Sequence, residues 1–111
     1  MAFEPTIRLG DLAEGTAALV TVADTPVALV HTEGEVFAIN DVCSHADVSL
    51  SEGEVDGCTL ECWLHGSRFD LRTGMPTGLP AITPVPVYAV NIEGTGDDAI
   101  ICVDVTKGSP A

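Results

Sequence analysis

Basic residues are scarce in this chain. Four Lys and Arg face 17 Asp and Glu, which gives a formal net charge of −13. A surface this acidic repels the phosphates of nucleic acids and of anionic membranes. The composition therefore argues against nucleic-acid binding and favours a protein partner with a basic surface, reached by fast, salt-sensitive association.

Long apolar runs are also missing. No run reaches the roughly 18–20 residues that are needed to cross a bilayer. The first residues, MAFEPTIRLG, lack the basic start and the apolar segment of a signal peptide. We therefore expect a soluble, cytoplasmic protein with no membrane association. Thiols stay reduced in the cytoplasm, so the four cysteines are expected to be metal ligands or core residues rather than disulfides.

A sustained helical period is absent as well, and short β-rich runs alternate with turn residues instead. The predicted strands are PTIRLG, AALVTV, VALVHT, VFAIN, PVYAVNI and AIICVDV. TEGE and EGTGDD are typical of hairpin turns, and VDG predicts a further turn before the strand in CTLEC. This pattern predicts an all-β fold, a small antiparallel sandwich or barrel. The 111 residues suffice for one domain, which we place at 1–105 with a flexible tail at 106–111.

Residues 41–83 form a loop-built part that concentrates the potential metal ligands: Cys43, His45, Cys62 and His65. One residue separates the first pair, two separate the second, and sixteen lie between the pairs. Two thiolates and two imidazoles suit either zinc or an iron–sulfur centre. A zinc finger usually takes two cysteines from one knuckle and two histidines from a helix. Here each pair mixes the two types, which favours a binuclear cluster with both cysteines on one iron and both histidines on the other.

The segment C-S-H, followed by sixteen residues and then C-W-L-H-G-S-R-F-D, resembles the Rieske [2Fe–2S] signature C-x-H…C-x-x-H-G. The resemblance implies a Rieske fold with one [2Fe–2S] cluster. Cys43 and Cys62 would hold the inner iron, and His45 and His65 the outer iron near the surface. The cluster surroundings would come from the residues around the second ligand pair and from a proline-bearing loop, G-L-P-A: Trp63, Leu64, Gly66, Ser67, Phe69, Leu79 and Pro80.

The chain departs from the Rieske proteins of respiratory and photosynthetic complexes. Those proteins carry a disulfide between the cluster loops, where this chain has Asp47 or a neighbour and Leu64, and they have a membrane anchor. Ser67 matches their serine, but Phe69 stands where a tyrosine hydroxyl would donate to a cluster cysteine. Losing a donor to sulfur lowers the reduction potential. Trp63 would either shield the cluster or contact a partner. The chain thus resembles the soluble Rieske ferredoxins that serve bacterial oxygenases.

This resemblance implies an electron-transfer component rather than an enzyme. Electrons would pass from a flavin-dependent ferredoxin reductase through the cluster to a terminal oxygenase, a Rieske non-haem iron dioxygenase. The sequence shows neither a nucleophile–base pair nor a nucleotide-binding loop. Two alternatives stay open: an iron–sulfur assembly or redox-sensing accessory protein, and a zinc-stabilised interaction module.

The remaining Cys, His and Arg residues of interest are expected to be structural. Cys58 fits a small buried or edge position, and Cys102 fits the core. His31 fits the end of a strand. Arg68 and Arg72 follow the second ligand pair, and we expect them either to pair with Asp70 or other acids or to tune docking.

Overall fold

The computed structural model describes residues 3–42, 48–63, 67–77 and 84–109. The strands in these ranges are β1 Glu4–Arg8, β2 Thr16–Val22, β3 Thr25–Thr32, β4 Glu35–Asn40, β5 Val55–Asp56, β6 Thr59–Glu61, β7 Arg68–Asp70, β8 Val87–Glu93 and β9 Ile100–Ser109. Three short 3-10 helices accompany them: η1 Leu9–Asp11, η2 Leu50–Glu52 and η3 Gly96–Asp98. Within these ranges, no helix has the length and apolar character that crossing a membrane requires.

The larger sheet has six antiparallel strands in the order β1-β9-β8-β4-β3-β2. Its edge strands β1 and β2 contact each other, so the sheet is nearly closed. The β2–β3 hairpin turns through Ala23 and Asp24, whose φ angles are 48° and 66°. The β3–β4 hairpin turns through Glu33 and Gly34, at φ of 53° and 76°. Two central residues with positive φ characterise the type I′ turn, which matches the twist of paired strands. The six long predicted strands and the all-β fold class are confirmed.

The smaller sheet, β5-β6-β7, is also antiparallel and lies in the predicted ligand-bearing part. Leu60 of β6 pairs with Phe69 of β7, and Phe69 forms a further bridge with Pro76. The strand predicted in CTLEC is β6. β7 was not predicted, because three residues are too few to show an alternating pattern.

The core has two halves, one on each face of the larger sheet. β3 is central to both, since Val27 to Val30 are fully buried and successive side chains point to opposite faces. One half packs the larger sheet against the smaller sheet and η2: Ala28, Val30, Ile39, Leu50, Leu60, Cys62, Phe69, Leu71 and Val85. The other half fills the nearly closed sheet and includes Leu29, Tyr88, Ile101 and Val103. The smaller sheet therefore rests on a rigid framework.

The C-terminal strand is longer than the sequence predicts. β9 runs to Ser109, which pairs with Val87 at the start of β8. The flexible tail was predicted to begin at residue 106, so the strand takes in its first four residues. The composition of TKGS does not predict a strand. β9 extends through these residues because it pairs with β8. The division into one domain at 1–105 stays a prediction.

Candidate metal centre

The predicted site falls partly outside the described residues. Those outside are Cys43, His45, Leu64, His65, Gly66, Leu79 and Pro80. The structure describes Cys62, Trp63, Ser67 and Phe69, together with the segments that flank each of the three predicted loops. The ligand set as a whole therefore stays a prediction. The described residues next to the ligands show which hydrogen bonds and core contacts support the site.

Cys62 directly follows β6, which ends at Glu61. Its side chain is fully buried in the core and its thiol is free. The Cys62 backbone N–H donates to the Ser67 carbonyl oxygen at 2.6 Å, so the described residues on either side of 64–66 are hydrogen-bonded to each other. Ser67 is buried, while Trp63 is 49% exposed. Cys62 is thus fixed in the core, and the next residue, Trp63, faces solvent.

The ends of the first loop lie side by side. β4 ends at Asn40, and Val42 forms an isolated antiparallel bridge with Ser49. The Leu50 N–H donates to the Asp41 carbonyl oxygen at 2.6 Å. The chain therefore enters and leaves the segment that contains Cys43 and His45 at the same place.

The segment that leaves the first loop packs directly against β6. The Glu61 N–H donates to the Glu54 carbonyl oxygen at 2.8 Å. A Cβ on Gly53 would lie 1.6 Å from the Glu61 carbonyl oxygen, so only glycine allows this approach. Glu61 is the residue before Cys62. The supports of the first and second ligand pairs are therefore in contact.

The third predicted loop is anchored at β7. The Thr77 N–H donates to the Arg68 carbonyl oxygen at 2.8 Å, just before the loop, and the Val85 N–H donates to the Gly74 carbonyl oxygen at 2.9 Å, just after it. Gly74 has a φ of +76°, and a Cβ there would lie 2.0 Å from the Val85 oxygen. The described anchors of the second and third loops thus lie on the smaller sheet or beside it, and those of the first loop join it to the end of β4.

Phe69 is a core residue. It is fully buried and packs with Leu60 and Leu71 in the half of the core that also contains Cys62. Its ring packs under the β6–β7 strand pair, whose strands lie on either side of the second predicted ligand pair in the sequence. A direct influence of Phe69 on the cluster stays a prediction, as do the roles of Trp63 and Ser67.

Arg68 and Arg72 are both paired with acids, as predicted. Their guanidinium nitrogens lie 3.0 to 3.9 Å from two carboxylates each, Asp56 and Glu61 for Arg68 and Glu33 and Glu35 for Arg72. Asp70 accepts the backbone N–H of Arg72 instead, at 2.7 Å. The hydrogen bond with Glu35 raises the pKa of Arg72 above its already high ordinary value. Each arginine is locally outnumbered by carboxylates, so neither creates a positive patch.

The other described cysteines and histidine have local structural roles. Burial raises the pKa of the Cys58 thiol, and the charge of Arg72 partly opposes this effect. Cys102 is buried on β9, as predicted, and burial raises its pKa too. His31 on β3 is held at both ring nitrogens: Nδ1 lies 2.9 Å from the Leu12 carbonyl oxygen, and Nε2 lies 3.0 Å from a Glu14 carboxylate oxygen.

The described part of the site fits an iron–sulfur cluster. Cys62 offers a free, buried thiol directly after β6, and the sequence has a histidine three residues later. Thiolate and imidazole are the donors that hold a Rieske cluster. The buried position of Cys62 also fits a ligand that must be screened from water.

Comparison with known proteins places the chain among small iron–sulfur carriers. The family model for the Rieske [2Fe-2S] domain matches residues 3–89. The ferredoxin component of biphenyl 2,3-dioxygenase from Rhodococcus jostii (strain RHA1) is 39% identical over 101 residues, which cover 91% of this chain and 92% of the relative.

Solved structures agree with the sequence match. The ferredoxin of carbazole 1,9a-dioxygenase from Nocardioides aromaticivorans IC177 superposes with a TM-score of 0.85 at 35% identity, covering 93% of this chain and 97% of that one. A chain in the complex of reduced oxygenase and oxidized ferredoxin in carbazole 1,9a-dioxygenase has a TM-score of 0.79 at 30% identity, covering 91% and 92%. Rieske domains bind a [2Fe–2S] cluster through two cysteines and two histidines, which confirms the predicted cofactor. The chain belongs to the Rieske [2Fe–2S] domain family.

Proposed function

We propose that this chain is a one-electron carrier that accepts an electron from a flavin-dependent ferredoxin reductase and delivers it to a terminal oxygenase. The observation that carries the proposal is the match to a ferredoxin component over nine-tenths of both chains. Such components are electron-transfer subunits and not catalytic ones, which confirms the prediction that this protein is not itself an enzyme. The dioxygenase class of the acceptor follows from the same relatives.

Four residues of this chain would hold the cluster. Cys43 and Cys62 would bind the inner iron, and His45 and His65 the outer one. The bound cluster supplies one reversibly held electron. The chain supplies a fixed support: Cys62 is anchored in the core, and the ends of the first loop are hydrogen-bonded to each other and packed on β6. A rigid support keeps the ligands in place in both oxidation states.

Charge would guide the carrier to its partners. The net charge is −13, and each of the described arginines Arg8, Arg68 and Arg72 lies near two carboxylates. A partner with a basic surface around its redox centre would therefore be attracted over a long range. The exposed ring of Trp63, next to a proposed ligand, would add an apolar contact at short range.

We also propose a cytoplasmic location. Cys58, Cys62 and Cys102 are free thiols in the described structure, which fits a reducing compartment.

Reconstituted electron transfer tests the function. Purified protein is mixed with NADH, a flavin-dependent ferredoxin reductase and a Rieske dioxygenase, and product formation is followed as the carrier concentration rises. We expect turnover that requires the carrier and saturates with it, and none with Cys62→Ala. Cys58→Ser is the matched control, because it removes a thiol that packs against the same half of the core, and it should support full turnover. A protein that holds its cluster but is neither reduced nor able to support turnover, across a panel of such partners, would contradict the carrier role and favour an accessory one.

A further inference from the structure

Asp41 is a buried carboxylate at the base of the first ligand loop. Only 3% of the residue is exposed, and burying a carboxylate is unfavourable unless hydrogen bonds replace its water. The Ser51 N–H donates to Oδ1 at 2.8 Å, and the Ser49 hydroxyl donates to Oδ2. The Ser49 and Ser51 hydroxyl oxygens also lie 2.8 Å apart. The carboxylate therefore binds the chain where it leaves the loop.

The backbone of Asp41 binds both neighbouring segments as well. Its N–H donates to the Pro26 carbonyl oxygen at 3.0 Å, which ties it to the start of β3. Its carbonyl oxygen accepts the Leu50 N–H at 2.6 Å, at the start of η2. Asp41 thus joins the framework sheet to both ends of the segment that begins after Val42 and ends before Val48.

The contacts of Asp41 extend to the second ligand pair through the chain that follows. Leu50 is fully buried in the same half of the core as Cys62. Three residues later, Gly53 packs against the carbonyl oxygen of Glu61. A displacement of the 49–51 segment would therefore be transmitted to the residue before Cys62.

We propose that Asp41 is a positioning residue for the cluster: its carboxylate holds the base of the first loop closed and so fixes the placement of Cys43 and His45. The inference rests on the ligand set of the proposed function. Without the carboxylate, the Ser51 N–H and the Ser49 hydroxyl lose their buried acceptor, and the loop base must open to water to satisfy them. Groups that orient metal ligands from outside the coordination shell typically change metal affinity by about 10–100-fold when they are removed.

Asp104 provides a matched control. It is 1% exposed, and its carboxylate accepts the Thr106 N–H at 2.9 Å and the Thr106 hydroxyl at 2.5 Å. Like Asp41, it accepts one backbone N–H and one hydroxyl, although here both bonds go to Oδ1. It lies on β9, in the framework sheet, and these hydrogen bonds hold no ligand-bearing loop.

The experiment compares Asp41→Ala, Asp41→Asn and Asp104→Ala as cluster-loaded proteins. The measurements are iron and sulfide content, the EPR spectrum of the reduced form, the rate of bleaching by an iron chelator, and Tm. We expect Asp41→Ala to bleach about 10–100-fold faster than the wild type and to show altered EPR g-values. Asp41→Asn should remain close to the wild type, because its amide oxygen still accepts the Ser51 N–H and its amide group can donate to Ser49. Asp104→Ala should lower Tm while keeping the wild-type EPR spectrum and bleaching rate.

The results distinguish a failure of the positioning role of Asp41 from a failure of the proposed function. An Asp41→Ala protein with wild-type g-values and the bleaching rate of Asp104→Ala would overturn the positioning role. If Asp41→Ala does not fold, Ser49→Ala takes its place: faster bleaching with wild-type Tm supports the role, and an unchanged rate overturns it. A wild-type protein that takes up no iron–sulfur cluster would contradict the proposed function itself.

Discussion

Substitution of Gly53 tests whether the two ligand-bearing segments depend on their mutual contact. The backbone there has φ −85° and ψ −172°, extended angles that alanine also adopts. Strained torsions are therefore not the obstacle in Gly53→Ala. The obstacle is space, since the new Cβ would lie 1.6 Å from the Glu61 oxygen and 2.9 Å from the Glu61 carbonyl carbon.

The size of the effect follows from that distance. A carbon–oxygen contact needs about 3.3 Å, so the segment after the first loop and β6 must separate by roughly 1.7 Å. Overpacking of this kind costs about 1–3 kcal/mol. Loss of the Glu61–Glu54 backbone hydrogen bond adds about 1 kcal/mol, which gives about 2–4 kcal/mol in total. The displacement also exceeds the roughly 0.5 Å that a functional site tolerates, so we expect cluster occupancy to fall.

The assay measures urea unfolding together with iron and sulfide content in Gly53→Ala and in a control, Gly15→Ala. Gly15 has a φ of +82° but no atom within 4 Å of its virtual Cβ, so alanine there meets only torsional strain. That strain costs about 1–2 kcal/mol and should leave the cluster in place. A Gly53→Ala protein with full cluster content, and no less stable than Gly15→Ala, would show that the two ligand-bearing segments do not depend on this contact.

Three further predictions concern charge, the other thiols and a turn. The rate of electron transfer with the reductase should fall as salt rises, because the screening length shrinks from about 10 Å at 0.1 M to about 3 Å at 1 M; a rate independent of salt would show that apolar contacts dominate docking. Cys58→Ser and Cys102→Ala should leave the visible and EPR spectra unchanged, and a lost spectrum in folded Cys58→Ser would mean that the ligand set is wrong. Ala23→Asn should raise the free energy of unfolding, measured by urea titration, by about 0.5–1 kcal/mol. The reason is that Ala23 has a φ of 48° in a type I′ turn, where asparagine is favoured. A decrease would contradict the turn assignment.

The long strands of the framework could be predicted because each combines an alternating or continuous apolar run with turn residues at its ends. VALVHT and AIICVDV show this plainly: VALVHT lies within β3, and all of AIICVDV except its first residue lies within β9. Strand β7 has only three residues, too few to show an alternating pattern, and it forms because it pairs with β6 in the fold. The extension of β9 to Ser109 has the same origin.

The residues that support the site are harder to predict from the sequence than the cofactor is. The spacing of Cys and His is local and specific, so it indicated the cofactor at once. Asp41 is one of 17 acidic residues, and nothing in the neighbouring sequence distinguishes a buried acid from the solvated ones. Gly53 and Gly74 likewise have ordinary surroundings in the sequence. Their importance comes from backbone atoms of Glu61 and Val85 that approach closely only in the folded protein.

EPR spectroscopy of the reduced protein, with metal analysis of the same sample, decides whether the chain holds a Rieske [2Fe–2S] cluster. We expect iron and acid-labile sulfide in equal amounts. The spectrum should have a lower average g than an all-cysteine cluster gives, because imidazoles replace two thiolates. Alanine in place of Cys43, His45, Cys62 or His65 should abolish the signal. Stoichiometric zinc without sulfide, in protein produced with ample iron and sulfur, or the g-values of an all-cysteine cluster, would contradict the presence of a Rieske cluster.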